Sequence, residues 1–324
     1  MTFITRRTAI ALAGVALAGS ALAQNFPAQP LRWVVPYPAG GGTDVIARTV
    51  ANEMQQALGQ AIVVDNRGGA NTIVGADIIA KSRADGYTIG SADNATLALN
   101  PALYDKLPYN PSKDFTVIGG IARFPYVLLV GPKVTAKTAG ELVAMARSKP
   151  GAVSYGSPGM GGPNHVAMEQ LQQRLGIQLN HIAYKGAAPG LQDLIAGQID
   201  FMLVDTGSSL PHVRSGKLRA LAVSYDTRLS PLPDVPTFKE AGLGDFSAFS
   251  WQFLIAPAGT PQPVVAHLSQ QLNKALGSEP VRNRMRDLGV EPSPMDSKAA
   301  ADFVRAEAER WSGVIRTAGI KLDN

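Results

Sequence analysis

An apolar strand, a glycine-rich loop and an amphipathic helix follow one another twice in this chain of 324 residues, and that repeat constrains its fold most. The first copy reads Leu31-Arg32-Trp33-Val34-Val35, then Pro36-Tyr37-Pro38-Ala39-Gly40-Gly41-Gly42-Thr43-Asp44, then a helix ending near Leu58-Gly59. The second reads Ala152-Val153-Ser154-Tyr155, then Gly156-Ser157-Pro158-Gly159-Met160-Gly161-Gly162-Pro163-Asn164, then a helix ending at Leu175-Gly176. Each is followed by another short strand, Ala61–Val64 and Ile177–His181. A glycine-rich turn leaves backbone N–H groups exposed, and the helix amino end behind it adds partial positive charge. Two such cradles, one per half of the chain, point to one anion held between two lobes, the layout of a binding protein more than of an enzyme.

Residues 1–23 read as a removable export signal rather than part of the fold. Arg6-Arg7 precedes an apolar run from Ala9 to Leu17, and Ala21-Leu22-Ala23 supplies a small-x-small cleavage site. The run is too short for a permanent bilayer span. Thr5-Arg6-Arg7 hints at twin-arginine export, and general secretion stays open beside it. The 30 basic and 25 acidic residues, less Arg6 and Arg7, leave a net charge of +3 on the exported chain. That mild excess favours anionic ligands, but no basic run interleaved with aromatics suits nucleic acid. Without cysteine there can be neither disulfides nor thiolate metal sites.

Short apolar strands alternate with helical patterns almost throughout, which predicts an α/β fold with mainly parallel sheets. Ile46, Val50, Met54 and Leu58 form one helix stripe, and Met168, Leu171 and Leu175 the other. Further strands are expected at Thr88–Ser91, Thr116–Ala122, Tyr126–Val130, Phe201–Val204, Leu218–Ser224 and Gln252–Ala256, and a long helix at Ser297–Ala318. Thr227–Gly244, rich in proline and glycine, reads as an extended connection. The chain is expected to leave lobe 1 near Phe124-Pro125 and to return near Ser250. Lobe 1 is then 24–124 plus 250–324, lobe 2 is 125–249, and the two crossings form a hinge.

The first loop lacks the Gly-Lys-Ser/Thr ending of a triphosphate loop, and its consecutive glycines do not make a dinucleotide fingerprint. What remains is a carboxylate-sized nest in which Thr43 or its neighbours' N–H groups face a ligand. Asp44 either serves that nest or pairs with Arg48 one turn on. His165, His181, His212 and His267 show no metal-ligand spacing, and Ser157 has no general base at a recognised spacing. His165, where the second loop enters its helix, either caps or meets a ligand. Lys185 offers charge or is simply solvated, while Gly186 is better placed to give a backbone donor. Asp205 and Asp93-Asn94 end strands where α/β proteins place ligand contacts. Both acids either face the cleft, favouring a ligand with an amino or hydroxyl donor, or cap the helices that follow.

Several segments together resemble the Bug-type substrate-binding proteins, the solute receptors of tripartite tricarboxylate transporters. They are Pro36 to Asp44 with Ala47-Arg48, Val64-Asp65-Asn66-Arg67, Asp85-Gly86-Tyr87-Thr88, Asn100-Pro101-Ala102-Leu103-Tyr104 and the second loop. Tyr184-Lys185-Gly186, Gly197-Gln198-Ile199-Asp200, Gly216 to Ala222, Pro233-Asp234-Val235-Pro236-Thr237 and Ala256 to Pro261 continue the series. The resemblance implies a two-lobed periplasmic binding fold of type II-like form, no catalysis, no cofactor, a monomer, and a small carboxylate delivered to a membrane permease. A sensory receptor presenting its closed form to a membrane signalling partner is the alternative. Carried onto this chain, the ligand-facing positions are Tyr37, Ala39, Gly41, Gly42, Thr43, Asp44, Ser157, Met160, Gly161, Gly162, His165, Lys185 and Gly186. Asp93 and Asn94 lie where the pocket would vary. The chain departs from the family at Gly68-Gly69-Ala70-Asn71-Thr72-Ile73, which replaces a glycine-richer turn, and at Met160 and Pro163-Asn164 in the second loop.

Overall fold

The computed structural model describes residues 26–322; the expected export signal lies outside them. Strand β1 (Leu31–Val35) leads through the first loop into α1 (Gly42–Leu58), followed by β2 (Ile62–Asn66), α2 (Ile73–Ala80) and β3 (Thr88–Asp93). A π-turn at Ala95–Leu99 runs into the short α3 (Asn100–Leu103) and then α4 (Pro111–Asp114). The 16-residue β4 (Phe115–Val130) comes next, then α5 (Ala139–Ser148), β5 (Ser154–Ser157), α6 (Pro163–Leu175) and β6 (Asn180–Ala183). The series continues with α7 (Ala187–Ala196), β7 (Phe201–Asp205), α8 (Thr206–Arg214) and β8 (Arg219–Val223). It closes with β9 (Phe249–Pro257), α9 (Gln262–Gly277), α10 (Glu279–Asp287), β10 (Glu291–Met295) and α11 (Ser297–Ala318). Among the described residues no helix is long and apolar enough to cross a membrane.

The strands form one curled sheet in the order β2-β1-β3-β9-β4-β7-β5-β6, with β8 and β10 also paired to β4. The outer strands are parallel (β1 with β2 and β3, β5 with β6 and β7), whereas β9, β4 and their partners run antiparallel. The sheet is therefore mixed, with the parallel pattern expected from alternating strands and helices confined to its two ends. Two strand–loop–helix units need parallel neighbours. The chain reversals that join the units make the centre antiparallel.

Strand β4 links the two ends. It pairs with β9 from Phe115 to Pro125 and with β7 from Tyr126 to Val130. The sequence reads as two strands here because Pro125 breaks the apolar run. Pro125 sits where β4 changes partners, a position that tolerates a missing N–H. Strand β10 was unexpected for a similar reason: Pro292 and Pro294 argue against a strand, yet it runs along the margin of β4 with an irregular register. Its close approach requires Gly120, since a Cβ there would lie 2.3 Å from the Ser293 carbonyl oxygen. Thr227–Gly244 forms turns with a single bridge, Val223 to Thr237, and buries Phe238 and Leu243.

Helices α1 and α6 are built as their stripes require. Ile46, Val50, Met54 and Leu58 are buried under α1, and Met168 and Leu171 under α6. Both end on a left-handed glycine, Gly59 and Gly176, whose N–H closes onto the last turn. One apolar core surrounds β1, α1 and α9, and another fills the space between β7 and α7. A third runs between the ends, joining Val34, Tyr126, Tyr155, Trp251 and Trp311. The two loops ahead of α1 and α6 are thus carried on rigid elements, one at each end of the sheet.

Candidate functional site

The first loop ends in a helix that no side chain caps. Gly41 is extended (φ −75°, ψ 166°), Thr43 does not fold back, and the first-turn N–H groups of α1 open into the loop. Asp44 holds this shape from behind. Its carboxylate accepts from the Gly40 N–H at 2.8 Å, Arg48 Nε at 2.9 Å and the Asn66 amide at 2.9 Å. Asn66 also donates to the Tyr37 carbonyl at 3.0 Å. Burial pushes the Asp44 carboxyl up, but the Gly40 N–H, Asn66 and Arg48 outweigh it and hold the group below the ordinary aspartate value. Ala39 and Gly41 are exposed, and Gly42 and Thr43 half-buried.

Beneath the loop the Tyr37 hydroxyl donates to Asp93. Asp93 also accepts the Thr96 N–H at 3.0 Å and the Thr96 hydroxyl at 3.1 Å. Asn94 faces inward, accepting the Trp251 N–H at 2.8 Å and donating to the Phe249 carbonyl at 3.3 Å, so it ties β3 to the start of β9. Asp205 caps α8, taking the Ser208 N–H at 2.9 Å and the Ser208 hydroxyl at 3.0 Å. The loop reaches this second acid as well: a Cβ on Gly42 would lie 3.6 Å from Asp205 Oδ1 and 3.5 Å from Phe124 Cε1. Burial raises the pKa of Asp93 and of Asp205 against the hydrogen bonds each accepts. Both carboxylates also act on Tyr37 and Tyr126, whose hydroxyls are pushed up mainly by burial. Tyr37, Asp93, Tyr126 and Asp205 therefore make one cluster where β4 changes partners. Because protein donors already serve both acids, neither requires a donor from a ligand.

The departure at Gly68–Ile73 borders this cluster. Ala70, Asn71 and Thr72 all lie in the left-handed region (φ 45°, 47° and 74°), costing about 1 kcal/mol or more each. Asn100 holds them: Asn71 Nδ2 donates to Asn100 Oδ1 at 2.8 Å, and Asn100 Nδ2 returns to the Asn71 carbonyl at 2.8 Å. Thr96 adds a hydroxyl bond to Thr72 at 2.9 Å.

The second loop follows the same plan with different fastenings. Gly162 is extended (φ −68°, ψ 163°), Pro163 occupies the first helical turn, and no side chain caps α6. Gly161 donates its N–H to His165 Nδ1 at 3.0 Å, which places the imidazole proton on Nε2. Asn164 reaches the Leu203 carbonyl at 3.1 Å. The Ser157 hydroxyl lies 3.0 Å from the Gly159 carbonyl and 2.7 Å from His181 Nε2. The Ser157–His181 contact was not legible, since a spacing of 24 positions matches no motif. The rings of His165 and His181 stack at 4.1 Å, and Tyr155 stacks on His181 at 4.7 Å. Burial lowers both histidines to about 4. The imidazole of His165, 3.7 Å from Glu169, is therefore neutral at pH 7 and makes no ion pair. Met160 stands exposed at the mouth of the loop. Lys185 is exposed on its flank, and Gly186 is tied to it by an N–H bond to the Pro158 carbonyl at 2.9 Å.

The candidate residues thus fall into two groups. Tyr37, Gly42, Asp93 and Asp205 gather around the first loop, and Ser157, Gly161, Gly162 and His165 around the second. Sequence reasoning missed Tyr126, Ser208 and His181, which support these groups. Asp44 and Asn94 are taken up by the fold behind the first loop.

Comparison with known proteins gives this arrangement a lineage. Residues 46–320 match the family described as the tripartite tricarboxylate transporter family receptor. The chain is 37% identical over 314 residues to protein BugT of Bordetella pertussis, covering 97% of this chain and 96% of that one. Among solved structures it resembles R. palustris Rpa4515 with adipate, at 34% identity and a TM-score of 0.87 over 92% of this chain and 100% of that one. It also resembles MatC from Rhodopseudomonas palustris with bound malate, at 33% identity and a TM-score of 0.81 over 90% of this chain and 100% of that one. The chain belongs to the tripartite tricarboxylate transporter receptor family, in its Bug-type branch, and is a solute-binding receptor rather than an enzyme.

Proposed function

We propose that this receptor works in the periplasm, closes around a small dicarboxylate and delivers it to a membrane permease. The observation that carries the reading is the pair of uncapped helix starts at Gly41-Gly42 and Gly162-Pro163, each behind a glycine-rich loop. Each offers backbone N–H donors and a helix dipole worth roughly 0.3–1 kcal/mol toward a carboxylate. Two cradles suit a ligand with two carboxylates, as adipate and malate are in the two R. palustris proteins. The export signal expected at 1–23 and the family's role support the location and the permease.

The two lobes are 24–124 plus 250–324 and 125–249, with the ligand between them. Support comes from the partner change of β4 beyond Pro125 and from the start of β9 at Phe249. These two strands are the crossings about which the lobes would close. On this reading Tyr37, Gly42, Thr43, Met160, Gly161 and Gly162 line the closed pocket.

The test is a melting-point screen of ligand-stripped protein against dicarboxylates of four to six carbons. A ligand at a hundred times its Kd adds about 2.7 kcal/mol of stability, enough to move the midpoint by several degrees. One or more dicarboxylates are expected to do so. No shift with any of them, malate and adipate included, would overturn the dicarboxylate assignment.

A further inference from the structure

Gly161 in the second loop is held from two sides, and one of them is the segment beyond α11. Its N–H is taken by His165. Its α-carbon, at φ +69°, faces the segment beyond α11: a Cβ there would lie 2.4 Å from Leu322 Cδ1 and 3.1 Å from Leu103 Cδ1. Leu322 also donates its backbone N–H to the Leu103 carbonyl at 2.9 Å. Leu103 ends α3, which follows β3 and the π-turn in the chain, so the tail joins the second loop to the short helix beyond Asp93. Its path is fixed upstream. The N–H groups of Gly319 and Ile320 close onto the Arg316 and Ile315 carbonyls, and α11 packs against the π-turn, α3 and α6. Nothing in the binding role assigned above requires this contact.

We propose that Leu322 is a positioning residue for ligand capture, a C-terminal strap that seats against Gly161 and Leu103 and holds the second loop in its anion-binding shape. The inference rests on the solute-receptor reading. Backbone N–H groups recognise a carboxylate only while the loop presents them together, and a loop that must be ordered on binding loses affinity by the cost of ordering it. Gly161 has no side chain with which to hold its own place. Leu322 fills the space beside it, and its link to Leu103 makes the loop's shape depend on where α3 stands.

The test compares Leu322→Ala and Leu322→Met with the parent protein. Leu322→Ala is expected to weaken malate or adipate binding about tenfold. It should also speed amide exchange across residues 157–165 in the ligand-free protein, while leaving the ligand-free melting midpoint within about 2 °C of the parent's. Leu322→Met, which refills the space with a flexible thioether, is expected to restore both affinity and protection. Unchanged affinity and unchanged exchange in Leu322→Ala would overturn the proposal. So would a weakening that comes with a large fall in the ligand-free midpoint and is not rescued by methionine. If the parent protein binds no dicarboxylate, the receptor reading falls by itself, and exchange at 157–165 decides the role of Leu322 alone.

Discussion

Gly42→Glu is expected to weaken dicarboxylate binding by more than about a hundredfold while leaving the protein folded. A Cβ at Gly42 makes only ordinary contacts, 3.5 Å to Phe124 and 3.6 Å to Asp205, and the backbone there is not left-handed, so a Cβ can be added without strain. An acid in the first turn of α1 also suits the helix dipole. The damage falls on the ligand. The new carboxylate occupies the mouth of the first loop and meets the anion that the loop would otherwise receive. Two like charges about 4 Å apart repel by roughly 4 kcal/mol at the effective dielectric of a protein surface. Gly42→Ala, with the same backbone and no charge, should stay within a few-fold of the parent. Isothermal titration with malate and adipate, together with far-UV circular dichroism, separates lost binding from lost fold. Undiminished affinity in the glutamate variant would place the ligand away from the first loop.

The parts of the fold that could be read from sequence are those whose information is local. Helices α1 and α6 announce themselves by an apolar stripe with a glycine stop at Gly59 or Gly176, and α11 by its long period. Elements that depend on a distant partner were harder to read. Strand β10 exists because Gly120 lets it approach β4, and β4 is continuous because Pro125 meets a change of neighbour, neither of which is written within its own segment. The same division runs through the candidate site. Both glycine-rich loops were legible, whereas the fastenings behind them were not. His181 reaches Ser157 from the next strand, Asn100 holds the left-handed turn at Ala70–Thr72, and Leu322 arrives from the far end of the chain. The open choice at Asp44 also turns on such a partner: Asn66, 22 residues away, takes up the carboxylate that Arg48 alone would share.

Acid should loosen the second loop. His165 and His181 titrate near 4 in the folded protein, because burial disfavours the imidazolium, and near 6.5 when unfolded. Between those values the unfolded chain binds protons that the folded one refuses. The histidines' contribution is therefore fully present above about pH 6.5 and is lost as pH falls through about 4. For His165, only 5% exposed, a displacement of this size corresponds to about 3 kcal/mol, and the half-buried His181 adds less. Asp93 and Asp205 act in the opposite sense. Their pKa values are raised by burial, so the folded state gains on the unfolded one as pH falls through those raised values. Urea unfolding of the parent alone would mix the two effects. Comparing it with a His165→Gln, His181→Gln double variant at pH 7 and pH 4.5 isolates the histidine share. The parent is expected to lose about 2–4 kcal/mol more than the variant over that interval. Protonation also removes the acceptor for the Gly161 N–H, since Nδ1 carries a proton in the imidazolium, so the second loop should lose its fastening as pH falls through about 4. Equal losses in the two proteins, with imidazole proton resonances that titrate near 6.5, would show that the stacked pair is open to solvent and does not hold the loop.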